Sequence, residues 1–325
     1  MEKNRVGTAK LDLLLSGYPS LDQIVRVNSS LKEGRTALIE NGDFIKESYG
    51  GCNVNIAYNL QTLGLNTGLL MNVGRDFSES GFKGFLTEAG INLDGVKEFE
   101  DALTSRSFLI TEPGGEQITL FYPGAASQPG KVPFDLIKQS PYIVITVGNW
   151  EHNQCIMKTA RQLGVPVVLG MKGDFVAFPP EELKNFISGA QILVMNQAEK
   201  RALLQVMGCN DIDDLFCGQV EIIIETRGKE GSIIREKIDS KQSVYEIPVC
   251  LSDKPLDPSG VGDAFLAGFL FGYLKGQGLL RSGKIGSVMA SFTIEARGCL
   301  NNVPKLGELS QRYCNYFQEE MLKEE

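Results

Sequence analysis

Histidine occurs once in the 325 residues, at His152. A single imidazole leaves no multi-histidine metal centre and argues against a Ser-His-Asp hydrolase. No Cys-x-x-Cys pair is present either. The seven cysteines stand scattered at Cys52, Cys155, Cys209, Cys217, Cys250, Cys299 and Cys314, which excludes a zinc-type spacing or a disulfide framework and suits free thiols in a reducing compartment. Long apolar runs are missing: residues 11–15, after Lys3 and Arg5, are far too few for a signal core or a membrane span. The expected location is the cytoplasm. No basic block stands out, and Lys plus Arg total 32 against 40 for Asp plus Glu, a net charge of −8. Nucleic acid and anionic membrane are therefore not expected as partners. The Gly-x-x-x-x-Gly-Lys-Ser/Thr phosphate loop is absent as well, so any phosphate chemistry uses a different device.

What is present is enough apolar material, 42% of the chain, for a large core. Short apolar runs at 11–15, 67–73, 142–147, 165–169, 192–195 and 221–225 read as strands. Helical spacing occupies 53–63, 82–89, 152–163, 180–187 and 198–207 between them. Strands alternating with helices predict an α/β fold, a mostly parallel sheet with helices on both faces, whose ligands bind beyond the carboxyl ends of the strands. Residues 24–48 and 105–122 break that rhythm. Their alternating patterns, with Pro113-Gly114-Gly115 as a turn in the second, read as extra strands outside the strand-helix-strand units.

The most informative stretch is Asp257-Pro258-Ser259-Gly260-Val261-Gly262-Asp263, which opens directly into an apolar helical run. Two glycines at a helix start let several unpaired N–H groups converge with the positive end of the helix dipole behind them, which makes an anion site. A carboxylate at its edge is out of place for mere phosphate holding. It suits a base that takes a proton from an attacking hydroxyl while the amides stabilise a transferring phosphoryl group.

Here the chain resembles the ribokinase-like (PfkB) carbohydrate kinase family, whose C-terminal signature ends in Gly-Ala-Gly-Asp; Val261 stands in the alanine's place. The resemblance implies a ribokinase-like fold in one domain spanning 1–325, with the inserted strands near 24–48 and 105–122 forming a small β-sheet lid that often dimerises in the family. It implies Asp263 as catalytic base and the amides of Gly260, Val261, Gly262 and Asp263 as anion hole. Four further motifs follow in family order. Gly50-Gly51-Cys52-Asn53-Val54-Asn55 matches the Gly-Gly-x-x-x-Asn pattern, placing Gly50, Gly51 and Asn55 at the substrate; an asparagine here also suits a helix cap, and Asn53 is the better candidate for that. Asp22 matches an aspartate that grips substrate hydroxyls, though a turn role fits its local sequence equally. Asn196-Gln197-Ala198-Glu199 matches Asn-x-x-Glu, with Glu199 organising Mg²⁺; the same four residues spell a capping box, and both readings stand. Thr226-Arg227-Gly228-Lys229-Glu230-Gly231 matches the phosphate turn Thr-x-Gly-x-x-Gly, with Thr226, Gly228 and Gly231 at the nucleotide and Arg227 or Lys229 available to neutralise charge. Residues 290–302, with Gly298 in a loop, fall where the family builds part of its adenine pocket.

One departure is that Gly170-Met171-Lys172 replaces the Asp-Pro-Asn or Asp-Pro-Ser of many relatives. The resemblance implies an ATP-dependent kinase acting with Mg²⁺, and a monovalent cation such as K⁺ remains open. The acceptor is a primary hydroxyl of a small sugar, with fructose the first expectation. Adenosine or another nucleoside is the main alternative, since 51–64, 121–125 and 294–298 look similar to the adenosine-kinase-like branch. A nucleoside needs an apolar or aromatic wall, for which Phe121, Tyr122 or Phe108 are candidates. A sugar-binding regulator without catalysis is disfavoured by the intact Asp263, and a nicotinamide dehydrogenase by the late position of the glycines.

Overall fold

Leu13, Leu14 and Leu15 are all fully buried, as a strand covered on both faces requires. Leu13 and Leu15 join one apolar core and Leu14 the other, which is the two-residue alternation of a pleated strand. In the computed structural model, which describes residues 10–130, 132–170, 179–239 and 241–323, this strand is β1 (Leu13–Ser16). It is followed by β2 (Ser20–Arg26), β3 (Ser48–Gly50), α1 (Cys52–Thr62), β4 (Thr67–Gly74), α2 (Phe82–Glu88) and β5 (Val96–Phe99). The chain continues through β6 (Arg106–Thr111), β7 (Gln117–Tyr122), α3 (Phe134–Gln139), β8 (Ile143–Ile145), α4 (Trp150–Leu163), β9 (Val167–Gly170) and α5 (Pro180–Ile187). It ends with β10 (Ile192–Asn196), α6 (Gln197–Met207), β11 (Ile222–Thr226), β12 (Ser232–Ile238), β13 (Lys241–Ile247), α7 (Val261–Leu274), α8 (Gly278–Thr293) and α9 (Leu306–Phe317).

Nine strands form one sheet in the order β13-β12-β11-β10-β9-β8-β1-β4-β5. It is parallel from β11 to β5, and the antiparallel hairpin β12–β13 closes one edge. Val54, Phe82, Phe269, Ile285 and Tyr313, from α1, α2, α7, α8 and α9, belong to one core cluster. Ile137, Ile156, Leu183 and Leu203, from α3 to α6, belong to the other. Trp150, the only tryptophan, packs in that second layer with its ring 4.9 Å from Phe186 of α5.

A separate four-stranded sheet, β3-β2-β6-β7, forms the lid. Its second insertion lies where the alternating pattern places it, as the hairpin β6–β7. The first differs from the expected strands over 24–48: β2 already starts at Ser20, β3 is only three residues long, and between them stand an isolated Val27–Ile39 bridge and a 3₁₀ turn at Gly42–Ile45. Asn28, Ser29, Ser30 and Gly34 are turn formers that interrupt any continuous apolar face.

Candidate active site

α7 starts at Val261 behind Gly260, which takes the left-handed conformation with φ 73° and has no side-chain cap. A methyl group on Gly260 would lie 2.7 Å from Cys299 Cβ, so the turn presses backbone against the neighbouring loop. At Gly262 an added Cβ would meet nothing within 4 Å, whereas the Val261 N–H, expected in the anion hole, is bonded to Pro258 O at 3.3 Å. Asp257 secures this turn. Its carboxylate accepts from Ser259 N–H at 2.8 Å and from Gly298 N–H at 2.9 Å. Burial pushes the Asp257 pKa up, but those donors and the nearby Arg297 outweigh it and leave it lowered.

Asn55 Nδ2 donates to Asp263 Oδ2 at 2.8 Å, joining residues 208 positions apart. Asn55 Oδ1 is buried without a hydrogen-bond partner, an acceptor beside the carboxylate that a hydroxyl would satisfy. Asn53 is not the cap expected of it. The helix begins one residue earlier, behind Gly51 at φ 103°, and Asn53 Nδ2 instead reaches Gly17 O at 3.3 Å. Gly50 is needed for space, because a Cβ there would sit 2.4 Å from Asp22 Oδ2. Asp22 accepts a short hydrogen bond from Ser20 Oγ, which is 2.7 Å from Ser107 Oγ. Burial raises the Asp22 pKa, the two serine hydroxyls oppose it, and the charge of Asp263 adds to the rise. The two carboxylates thus sense each other across the site. Cys299 lies beside them, its thiol pushed well above its ordinary range by burial and then by Asp263 and Asp22, so it stays protonated.

On the other side of Asp263 a pocket of about 90 Å³ is lined by Gly262, Asp263, Cys52, Asn196, Glu199 and Thr226. Asn196 and Thr226 are direct neighbours in the β10–β11 register. The capping box is present: Asn196 Oδ1 accepts from the Ala198 and Glu199 N–H groups at 2.8 and 2.9 Å, and Glu199 Oε2 accepts from Asn196 N–H at 2.8 Å. Glu199 therefore caps α6 and lines the pocket together. Gly228 and Gly231 shape the following turn, with φ 57° and 82°. Arg227 does not stand ready to neutralise phosphate. Its guanidinium is tied to Glu225 at 3.1 and 3.2 Å, and that fully buried carboxylate also holds Lys200 at 2.6 Å and Arg235 at 3.4 Å.

Gly298, expected at the adenine, has its N–H held by the Asp257 turn, and its neighbours Arg297 and Cys299 line a large cleft. That cleft, about 920 Å³ between lid and body, includes Ile24, Leu109, Tyr49, Phe85, Leu256 and Leu300. The aromatic wall expected on the lid is corrected in part. Asp22, Ser107 and Phe121 are paired across β2, β6 and β7 and share the inner face, whereas Phe108 and Tyr122 fall on the other face. Phe121 meets Tyr18, with ring centres 5.2 Å apart. Gly170 lines the small pocket; Met171 and Lys172 lie outside the described residues.

The small pocket and the empty space beside Gly262 fit a terminal phosphoryl group, and Glu199 lines that pocket with a carboxylate of the kind Mg²⁺ accepts beside a polyphosphate. No group of three or more His, Cys, Asp or Glu side chains among the described residues forms a metal cage, and a cation carried mainly by phosphate oxygens and water needs only one or two carboxylates. Sequence reasoning missed Asp257 as a brace, Ser20 and Ser107 as partners of Asp22, and the Glu225 cluster. Only the position of Ser107 within an alternating strand offered a signal.

Residues 19–306 match the family described as pfkB family carbohydrate kinase. The chain is 32% identical over 298 residues to a nucleoside kinase of Methanocaldococcus jannaschii, covering 91% of this chain and 94% of that protein. It is 29% identical over 304 residues to a nucleoside kinase of Methanothermobacter thermautotrophicus, covering 93% and 95%. The crystal structure of the Methanocaldococcus jannaschii nucleoside kinase, described as an archaeal member of the ribokinase family, superposes with a TM-score of 0.82 at 29% identity, covering 94% of this chain and 99% of that one. With a family match along most of its length, a ribokinase-like sheet and a helix-capped Gly-x-Gly-Asp turn at its centre, this chain belongs to the pfkB family of carbohydrate kinases and is an ATP-dependent kinase.

Proposed function

We propose that the protein is a nucleoside kinase, transferring the γ-phosphoryl group of MgATP to the 5′-hydroxyl of a ribonucleoside. The observation that carries this reading is the length and lining of the acceptor cleft. Asp22, Ile24 and Arg26 alternate along one face of β2 at steps of about 6.6 Å. A sugar gripped by Asp22 occupies only the first step. The aliphatic step at Ile24 and Leu109 suits a flat base, and the remainder of the cleft suits its polar edge. Fructose, the first expectation from sequence, would leave both unfilled. The names of the two archaeal relatives point the same way.

In this reading Asp263 accepts the proton of the attacking hydroxyl, while Asn55 fixes the orientation of its carboxylate. The N–H groups at the start of α7 receive the phosphoryl oxygens. Asp22 accepts hydrogen bonds from the ribose diol. Asn196, Thr226, Gly228 and Gly231 border the nucleotide phosphates and Glu199 the Mg²⁺ site; bound Mg²⁺ would screen charge on the phosphates. We further place the whole chain in one domain acting in the cytoplasm. The lid's outer face, with Leu120 and Tyr122 about half exposed, is proposed as the surface of a homodimer.

Steady-state kinetics with ribonucleosides and fructose on one preparation, followed by ADP release and mass detection of the 5′-phosphate, tests the assignment. The expected result is kcat/KM for at least one ribonucleoside well above that for fructose; the reverse order overturns it.

A further inference from the structure

We propose that Asp43 and Arg297 read the edge of a 6-oxopurine, so that the enzyme prefers guanosine and inosine to adenosine. This rests on the nucleoside reading and specifies its base.

The lid strand acts as a ruler. With Asp22 at the ribose, Ile24 and its cross-strand partner Leu109 stand one step further along the same face, and Arg26 a second step, about 13 Å from Asp22. Asn41 pins a carboxylate at that far end. Its Oδ1 accepts from Arg26 N–H at 2.7 Å, and its Nδ2 donates to Ile24 O at 2.8 Å and to Asp43 Oδ1 at 2.7 Å. Asn41 is itself buried, at 6% exposure, so Asp43 is held to the strand at the level where the base edge would fall. Arg297 lines the same cleft from the body side, on the loop whose next residue, Gly298, is fastened to Asp257. Arg297 forms no ion pair among the described residues, which leaves its planar fork for a ligand. The hydrogen bond from Asn41, to which the charges of Arg26 and Arg297 add, holds the exposed Asp43 carboxyl below its usual range. It is an acceptor only at neutral pH.

Those two groups complement one class of base. Guanine presents two adjacent donors, N1–H and N2–H, which a single carboxylate accepts together, and the acceptors O6 and N7, for which arginine is the bidentate partner. Hypoxanthine keeps N1–H, O6 and N7 and lacks only the N2 donor. Adenine places an unprotonated N1 against the carboxylate and a donor at position 6 against the arginine, so both contacts oppose. The predicted order is guanosine, then inosine, then adenosine.

The experiment is kcat/KM for these three nucleosides with the wild-type chain, Asp43→Asn and Arg297→Met, with thermal melts to establish that each variant is folded. Wild type should favour guanosine over adenosine by at least tenfold. Asp43→Asn should lower kcat/KM for guanosine by about 10- to 150-fold, mainly through KM, as expected for the loss of hydrogen bonds to a charged group. Adenosine kinetics should hold or improve. Arg297→Met should narrow the gap between inosine and adenosine. A wild-type preference for adenosine, or an equal loss with all three nucleosides in Asp43→Asn, overturns the base-edge assignment while leaving a nucleoside kinase in place. If fructose alone is turned over, the nucleoside reading falls and takes this assignment with it.

Discussion

Asp22 carries opposed demands on one carboxylate. Burial raises its folded-state pKa above the ordinary value of 3.8, so its contribution to stability is complete below that value and is lost as pH rises through the folded pKa. Above the folded pKa the ionised, buried form works against folding while it serves the substrate. Asp22→Asn should therefore melt at a higher temperature than wild type at pH 7, with the gap closing towards acid pH, yet lose about 10- to 150-fold in kcat/KM for the acceptor, as one charged hydrogen-bond partner is removed. Thermal melts over a pH series and acceptor kinetics check both halves. Asp263→Asn separates differently. Loss of a general base costs on the order of 10²–10⁴ in rate, so kcat should collapse with ATP affinity within a few-fold; near-normal turnover would remove Asp263 from the chemistry.

Helix starts decide the site at the scale of elements. Gly260→Ala would force a methyl group to 2.7 Å from Cys299 Cβ on a backbone at φ 73°, and should destabilise the fold by about 1–2 kcal/mol from the left-handed conformation alone. Gly262→Ala has the opposite signature. Nothing lies within 4 Å of its added Cβ, so the melting temperature should hold while the methyl group fills the phosphoryl space and raises KM for ATP. Equal effects of the two substitutions on melting would argue against that open space. The start of α6 is a mixed case: glutamine also serves at this position of a capping box, so Glu199→Gln should raise the Mg²⁺ concentration for half-maximal rate more than it changes the melt, and a changed melt with unchanged Mg²⁺ dependence would leave only the cap. Elements with strong local patterns were readable before any coordinates, among them α5 at Pro180–Ile187 and β10 at Ile192–Asn196. The hairpin β12–β13 was not. Its residues are largely polar or half-exposed, so neither period stands out. Likewise Gly50-Gly51 and the Gly260–Asp263 turn announced themselves through glycine spacing, whereas the brace from Asp257 to Gly298 and the pinning of Asp43 by Asn41 are tertiary contacts with no local sequence pattern.

For the molecule as a whole, acid is expected to be damaging through its one histidine. His152 is 9% exposed, and neither ring nitrogen has a well-formed hydrogen bond. Burial lowers its pKa below 6.5, only partly offset by the Gly130 backbone. A depressed folded-state value means that the stability is present above pH 6.5 and is lost as pH falls through the folded pKa, because the unfolded chain takes the proton first. Between pH 7.5 and 5.5 the melting temperature of wild type should therefore drop more than that of His152→Gln, and parallel slopes would assign the acid sensitivity to other groups. The two cores on either side of the sheet pose a further question, whether they melt together, and Trp150 answers it optically. Its ring lies against Phe186 in the α3–α6 layer, on the opposite face of the sheet from α7 and α1. Fluorescence excited selectively at tryptophan reports the loss of that layer alone, while far-ultraviolet circular dichroism reports all the helices. Superimposable transitions mean cooperative unfolding of the whole molecule, and an earlier fluorescence transition would mean that one layer departs while the catalytic turn is still in place.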